Sequence, residues 1–281
     1  MEPSFEVWGD LSRPASPVIL SVPHAGRVYP AAMLPLLRTP LAGLRALEDR
    51  HVDAVALAAR AGRTALVQRI ARAWIDLNRG EDERDPAVDE GANPAPAPSG
   101  SAKLRSGLGL VPRRASATGE IWRRKLSDAD VRARIAEAHR PYHQALEAAL
   151  MAARARFGVA VLLDLHSMPP LGNGAAQVVI GDRFGRAAGG RFVARAEGAA
   201  TLHGVRVSLN SPYAGGHVLD RHAAPMRGIH GLQLELDRTL YLDRRLDHPG
   251  PGLAGAVRLV EAIIGALEDE ALSGGLAQAA E

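Results

Sequence analysis

Val159-Ala-Val-Leu-Leu-Asp164-Leu-His166-Ser167 decides the fold. An unbroken apolar run ends in a carboxylate and an imidazole, and a stretch of this length and composition reads as a central strand buried on both faces. It would deliver Asp164 and His166 at its C-terminal end. In open α/β sheets those ends line the crevice where ligands bind.

Three further polar clusters close apolar stretches in the same way: Ser21-Val-Pro-His24-Ala-Gly26, Asp76-Leu-Asn78-Arg79 and Gln233-Leu-Glu235-Leu-Asp237-Arg238. Between them the pattern alternates strand and helix. Strands are expected at 18–22, 65–67, 74–76, 176–180, 204–208 and 231–235. A helix is expected from Leu47 to Ala61, stopped by Gly62, with Asp49 and Asp53 one turn apart on one face. A second should start at Ser127 and run to Arg156, with a kink or break at Pro141, and a terminal one should cover 252–270. The fold expected is α/β: a single domain over 1–281 with a mixed, largely parallel sheet and helices on both faces. Residues 80–120, with Asn93-Pro-Ala-Pro-Ala-Pro-Ser-Gly-Ser101 inside them, read as a Pro/Gly-rich excursion over the site.

Composition narrows the function. The 281 residues are 47% hydrophobic and 23% charged, ordinary values for a globular protein able to bury a sizeable core. No window approaches the roughly 18 apolar residues of a membrane span. The N-terminus lacks the basic and apolar segments of a secretory signal, so the cytoplasm is expected. A net charge of +3, with arginines scattered singly from Arg45 to Arg72, is no nucleic-acid footprint. With no cysteine, only imidazole and carboxylate remain as side-chain ligands for a metal.

A catalytic zinc site takes three protein ligands and keeps one position open. His24, followed by small Ala25 and Gly26, and His166 are two candidates, with Asp164 as a supporting carboxylate. The third should be a carboxylate among Glu48, Asp49 and Asp53, each of which could instead serve a helix start. Glu235, flanked by Leu234 and Leu236, would be partly desolvated and so suited to proton transfer, or would pair with Arg238. Asn210-Ser-Pro-Tyr213-Ala-Gly-Gly216 has turn composition that could present backbone N–H groups and a phenol to a ligand. His230, five residues before Glu235, falls on the opposite sheet face by strict alternation, which counts against a part in the chemistry; His143 should pack within its helix, and His51, His203, His217 and His222 are unassigned or on the surface.

These segments, in this order from Val18 to Asp243, resemble the N-formylglutamate amidohydrolase family, and more distantly the aspartoacylase and succinylglutamate desuccinylase relatives of the zinc carboxypeptidases. Pro141-Tyr-His143 is also shared. The resemblance implies a zinc carboxypeptidase-like fold, one Zn2+ per chain held by His24, Asp49 and His166, and Glu235 as general base. It further implies that Arg72 stabilises the oxyanion, that Asn78 and Arg79 grip the substrate carboxylate, and that Asn210, Tyr213 and Gly216 lie on the substrate side. The wider superfamily has a glutamate three residues after the first histidine. Arg27 stands there, so the third ligand must come from elsewhere.

The activity implied is hydrolysis of a small anionic N-acyl amino acid, N-formyl-L-glutamate to glutamate and formate, as in histidine degradation. Alternatives are hydrolysis of another N-acyl amino acid or a γ-glutamyl amide, and an inactive carboxylate-binding protein.

Overall fold

The computed structural model describes residues 3–93, 102–115 and 119–278. Its strands are β1 (Phe5–Trp8), β2 (Val18–Val22), β3 (Ala65–Gln68), β4 (Arg114–Ala115), β5 (Gly119–Glu120), β6 (Ala160–Met168), β7 (Val178–Gly181), β8 (Val207–Leu209) and β9 (Ile229–Asp237). Seven form one sheet in the order β1-β3-β2-β6-β9-β7-β8, while β4 and β5 pair separately. β3, β2, β6 and β9 run parallel, and only β7 against β9 is antiparallel among the registered pairs of this sheet. The α/β class and the mixed, mostly parallel sheet are as expected.

Every residue of β2, β6 and β9 is buried, so these strands are covered on both faces. That explains why they read as continuous apolar runs. Sheet order reverses at β2, where β3 is added on one side and β6 on the other. The C-terminal ends of β2 and β6 therefore flank the switch point where ligands bind in such sheets.

The helices are α1 (Leu41–Leu44), α2 (Val52–Ala59), α3 (Ala102–Arg105), α4 (Asp128–Arg134), α5 (Arg140–Phe157), α6 (Gly190–Leu202), α7 (His217–His222) and α8 (Leu253–Gln278). α8 packs on α2, α6, β2 and β6, and α7 packs on β9 and β6. No helix among the described residues is long and apolar enough to cross a membrane.

The chain divides into two compact units, which it enters and leaves repeatedly. The first comprises Met1–Glu6, Pro23–Glu48 and Gln68–Gln144; the second comprises Val7–Val22, Asp49–Val67 and Ala145–Glu281 and carries most of the sheet. The first has an apolar core of its own, including Met33, Leu44, Ile75, Leu110, Ile121 and Leu126. Much of the expected excursion is thus folded, because Val88, Leu110, Val111 and Ala115 fill this core. Residues 94–101, the Pro-rich heart of that expectation, lie outside the described residues.

Several local expectations change. Trp74-Ile-Asp76 is no strand: Trp74 ends a turn and irregular backbone follows, with the Asp76 N–H taken by Leu110 O and the Trp74 carbonyl accepting from Arg134. The Arg134 guanidinium lies 3.6 Å from the Trp74 ring centroid, and burial pushes its pKa down to about 10. The expected helix at Leu47 begins only at Val52, because His51 has a left-handed φ of 57°. Glu48 and Asp49 therefore precede the helix, and Asp49 does not share a helical face with Asp53. Around Pro141 the helix neither breaks nor simply kinks. A π turn at Ile135–His139 absorbs the residue, with Arg140 N–H bonded to Ile135 O. Ser127 caps α4 through a reciprocal pair with Asp130, as its sequence position requires.

Candidate active site

In the second unit the parallel register sets the chemistry. β6 pairs with β9 so that His166 lies opposite Glu235 and Asp164 opposite Gln233, while β2 places Ser21 opposite Asp164. Ser21 Oγ donates to Asp164 Oδ1 at 2.7 Å, and Asp164 Oδ2 lies 2.9 Å from His166 Nε2. On the other side of the ring, His166 Nδ1 is 3.1 Å from Asp49 Oδ2. Arg238 holds that carboxylate, donating to Asp49 Oδ1 at 3.2 Å and to Ser167 Oγ at 3.1 Å.

Arg238 thus ties Asp49 to Ser167, and Glu235 accepts from Gln233 Nε2 at 2.9 Å. Burial opposes a charge on His166. The carboxylate of Asp164, its hydrogen bonds with Asp164 and Asp49, and the charge of Glu235 prevail and raise its pKa well above the usual value. Among the three carboxylates open at the sequence level, Asp49 is the one beside His166. Glu48 accepts from the Tyr29 hydroxyl, and Asp53 lies in the first turn of α2.

In the first unit the centre is Asp76, fully buried. Its Oδ1 lies 2.6 Å from His24 Nε2 and accepts from the Asn78 backbone N–H at 2.8 Å. Its Oδ2 accepts from Arg72 Nε at 2.8 Å, with Arg79 Nη2 at 3.9 Å. Burial alone would raise the Asp76 pKa. Arg72, His24 and Arg79 outweigh it and hold the carboxyl well below its usual range.

Arg79 is itself buried, donating Nε–H to Leu108 O at 2.7 Å and Nη1–H to Asn78 O. Burial lowers its pKa, Asp76 only partly offsets this, and Arg72 lowers it further. Two neighbouring guanidiniums, Arg79 buried and Arg72 half-buried, favour an incoming anion. Two residues after His24, Gly26 lies against the Ile70 backbone, where a Cβ would be 2.1 Å from the carbonyl oxygen.

The remaining candidates are placed as follows. Asn210 holds the loop after β7, accepting from Asp182 N–H at 3.0 Å and donating to Asp182 Oδ1 at 2.7 Å. Gly216 precedes the first residue of α7. His230 packs against Phe192 and accepts from Gly189 N–H at 3.2 Å. Burial, then Arg191, push its pKa down to about 4, as befits a neutral structural residue. His222 is buried and so is no surface residue. Asp76 as the partner of His24, and Arg238 as the partner of Asp49, received no role at the sequence level. Their presence in two of the four clusters was the only signal.

Both units thus present a buried imidazole whose Nε2 is engaged by a buried carboxylate, the arrangement that orients histidine ligands at metal centres. The family model for N-formylglutamate amidohydrolase matches residues 16–242. The chain belongs to that family. It is accordingly an amidohydrolase of the class that acts on linear amides.

Family relatives include the N-formylglutamate deformylase of Pseudomonas aeruginosa, 28% identical over 242 residues, or 82% of this chain and 83% of the relative. That of Pseudomonas putida is 29% identical over 239 residues, 81% and 82% of the two chains. The N-formylglutamate amidohydrolase of Ralstonia eutropha JMP134, a solved structure, aligns over 98% of this chain and 100% of its own at 32% identity and a TM-score of 0.87. A protein from Agrobacterium tumefaciens shares the fold, with a TM-score of 0.66 at 20% identity.

Proposed function

We propose that this chain hydrolyses N-formyl-L-glutamate to glutamate and formate, with one zinc ion held by His24, Asp49 and His166. The observation that carries this reading is the environment of His166. Its Nε2 is occupied by Asp164, and its Nδ1 lies 3.1 Å from Asp49 Oδ2. Two ligand atoms on one tetrahedral zinc ion stand about 3.4 Å apart, so the donor types and their spacing fit such an ion. His24 repeats the pattern with Asp76 on Nε2, and each of the three residues offers one ligand atom. When bound, the ion lowers the pKa of a water and polarises a carbonyl.

The protein supplies the rest. Glu235, level with His166 in the sheet register, takes the proton of the attacking water and returns it to the departing amine. Arg72 stabilises the oxyanion as the carbonyl becomes tetrahedral. Arg79, steered by the carbonyls of Leu108 and Asn78, holds the glutamate carboxylate with Asn78. Tyr213 and Gly216 face the substrate, and Asn210 shapes the loop that presents them. The same reading places the reaction in histidine degradation and the enzyme in the cytoplasm.

The test is a panel of N-formyl, N-acetyl and N-succinyl amino acids and γ-glutamyl amides, assayed with metal content measured on the same sample. We expect stoichiometric zinc, loss of activity on chelation, and the highest kcat/KM for N-formyl-L-glutamate. A higher kcat/KM for another amide replaces the substrate. Turnover that survives complete metal removal overturns the zinc assignment, and metal-independent binding without turnover identifies an inactive carboxylate binder.

A further inference from the structure

We propose that His139 and His143 are positioning residues, which hold the substrate-gripping turn at 76–79 from behind; the inference rests on the role given to Asn78 and Arg79 above. Both imidazoles are completely buried. His139 Nε2 lies 2.8 Å from the backbone oxygen of Arg79, and His143 Nε2 lies 2.9 Å from that of Leu77. A carbonyl oxygen can only accept, so each ring must carry its proton on Nε2.

The two bonds bracket Asn78. Its own N–H is held by Asp76 Oδ1, and its carbonyl receives Arg79 Nη1–H. Residues 77, 78 and 79 are thereby tied in succession to His143, Asp76 and His139.

This turn belongs to no strand or helix, so no ladder fixes its backbone. It takes rigidity instead from the α4–α5 segment. His139 is the last residue of the π turn, His143 lies four residues on in α5, and their ring centroids are 4.4 Å apart. Residues four apart on a helix share a face. Pro141, which has no N–H, sits between them, directly after the π turn at Ile135–His139. The Tyr142 ring adds T-shaped contacts, with His143 at 5.9 Å and with Phe5 at 5.4 Å between centroids.

Substrate-binding groups lose effect when displaced by about 1 Å, so fixing the backbone of residues 77–79 fixes the grip of Arg79. The histidines touch neither substrate nor reacting atoms in this scheme. Their effect should therefore appear in binding more than in chemistry.

The experiment pairs His143→Leu with His143→Gln, and His139→Leu with His139→Gln, because a glutamine amide can place a donor where Nε2 stands and leucine cannot. The leucine variants should raise KM for N-formyl-L-glutamate about tenfold, with kcat changed much less, and the glutamine variants should recover most of the loss. Hydrogen exchange at the amides of residues 76 to 80 should speed up in the leucine variants alone. Nitrogen NMR of the unmodified protein should show the Nε2–H tautomer at both rings, a readout that needs no variant to fold. Folded leucine variants with unchanged KM and unchanged exchange would overturn the proposal, as would Nδ1–H tautomers. If the unmodified protein fails to hydrolyse N-formyl-L-glutamate, the proposed function fails, while exchange and tautomer still decide whether the clamp exists.

Discussion

The two histidine–carboxylate pairs solve the same problem with different materials. In the second unit, Asp164 and His166 stand on one strand, and Ser21 comes from its sheet neighbour; the register of β2, β6 and β9 sets every position. In the first unit, Asp76 lies on a turn and is fixed by charge, between Arg72 and Arg79 and against a backbone N–H. The consequence shows in proton affinity. His166, surrounded by carboxylates, is raised well above the usual histidine range, whereas Asp76, surrounded by cations, is held well below the carboxylate range. A sheet can aim side chains without charge; a turn needs ionic and hydrogen-bonded anchors to do the same.

The largest effect expected on this contrast comes from the sheet side. Glu235→Gln should lower kcat by about 10²–10⁴-fold while zinc content stays at the unmodified level, because the proposed base is lost and the proposed ligands are not. Equal turnover in the two proteins would remove Glu235 from the reaction.

Next comes a direct comparison of anchors. Asp76→Asn should cost about 3–5 kcal/mol in urea unfolding of the metal-free protein, since the buried Arg79 and the half-buried Arg72 would both lose the carboxylate that faces them. Asp164→Asn should cost less, about 1–3 kcal/mol, because its bonded partners are a hydroxyl and one imidazolium that still faces Asp49 across the ring. Equal losses at the two sites would show that charge does not distinguish them.

Arg79→Ala tests the anion-binding face of the first unit. KM for N-formyl-L-glutamate should rise roughly 10–100-fold with a smaller change in kcat, measured by steady-state kinetics. The smallest effect is Ser21→Ala, about 1 kcal/mol in unfolding, since it removes one 2.7 Å bond to Asp164 and exposes no charge. A loss as large as that of Asp76→Asn would mean that the sheet side also relies on a single anchor.

Legibility followed the same division. The strands at 18–22, 65–67 and 159–164 were readable because strands covered on both faces are written as apolar runs. The segment at 74–76 was not, since Trp74-Ile-Asp76 looks like a strand until Arg134 and Leu110 claim its ring and backbone. The core of the first unit was equally hidden: Leu110, Val111, Ile121 and Leu126 follow neither a 2.0 nor a 3.6 period, so no pattern announces them. The start of α2 was misplaced by the left-handed His51, a conformation that local composition does not require.

The sequence by itself determined the α/β class, the alternation of elements and the kinds of chemistry available. Hydrophobic runs, turn residues and the absence of cysteine act locally and leave local marks. Tertiary structure alone decided that Asp76 takes His24, that Arg238 takes Asp49, and that His139 and His143 reach the carbonyls of a turn some 60 residues earlier. Hydrogen bonds are made between atoms about 3 Å apart, whatever the separation along the chain, and no sequence pattern encodes such a distance until the chain has folded.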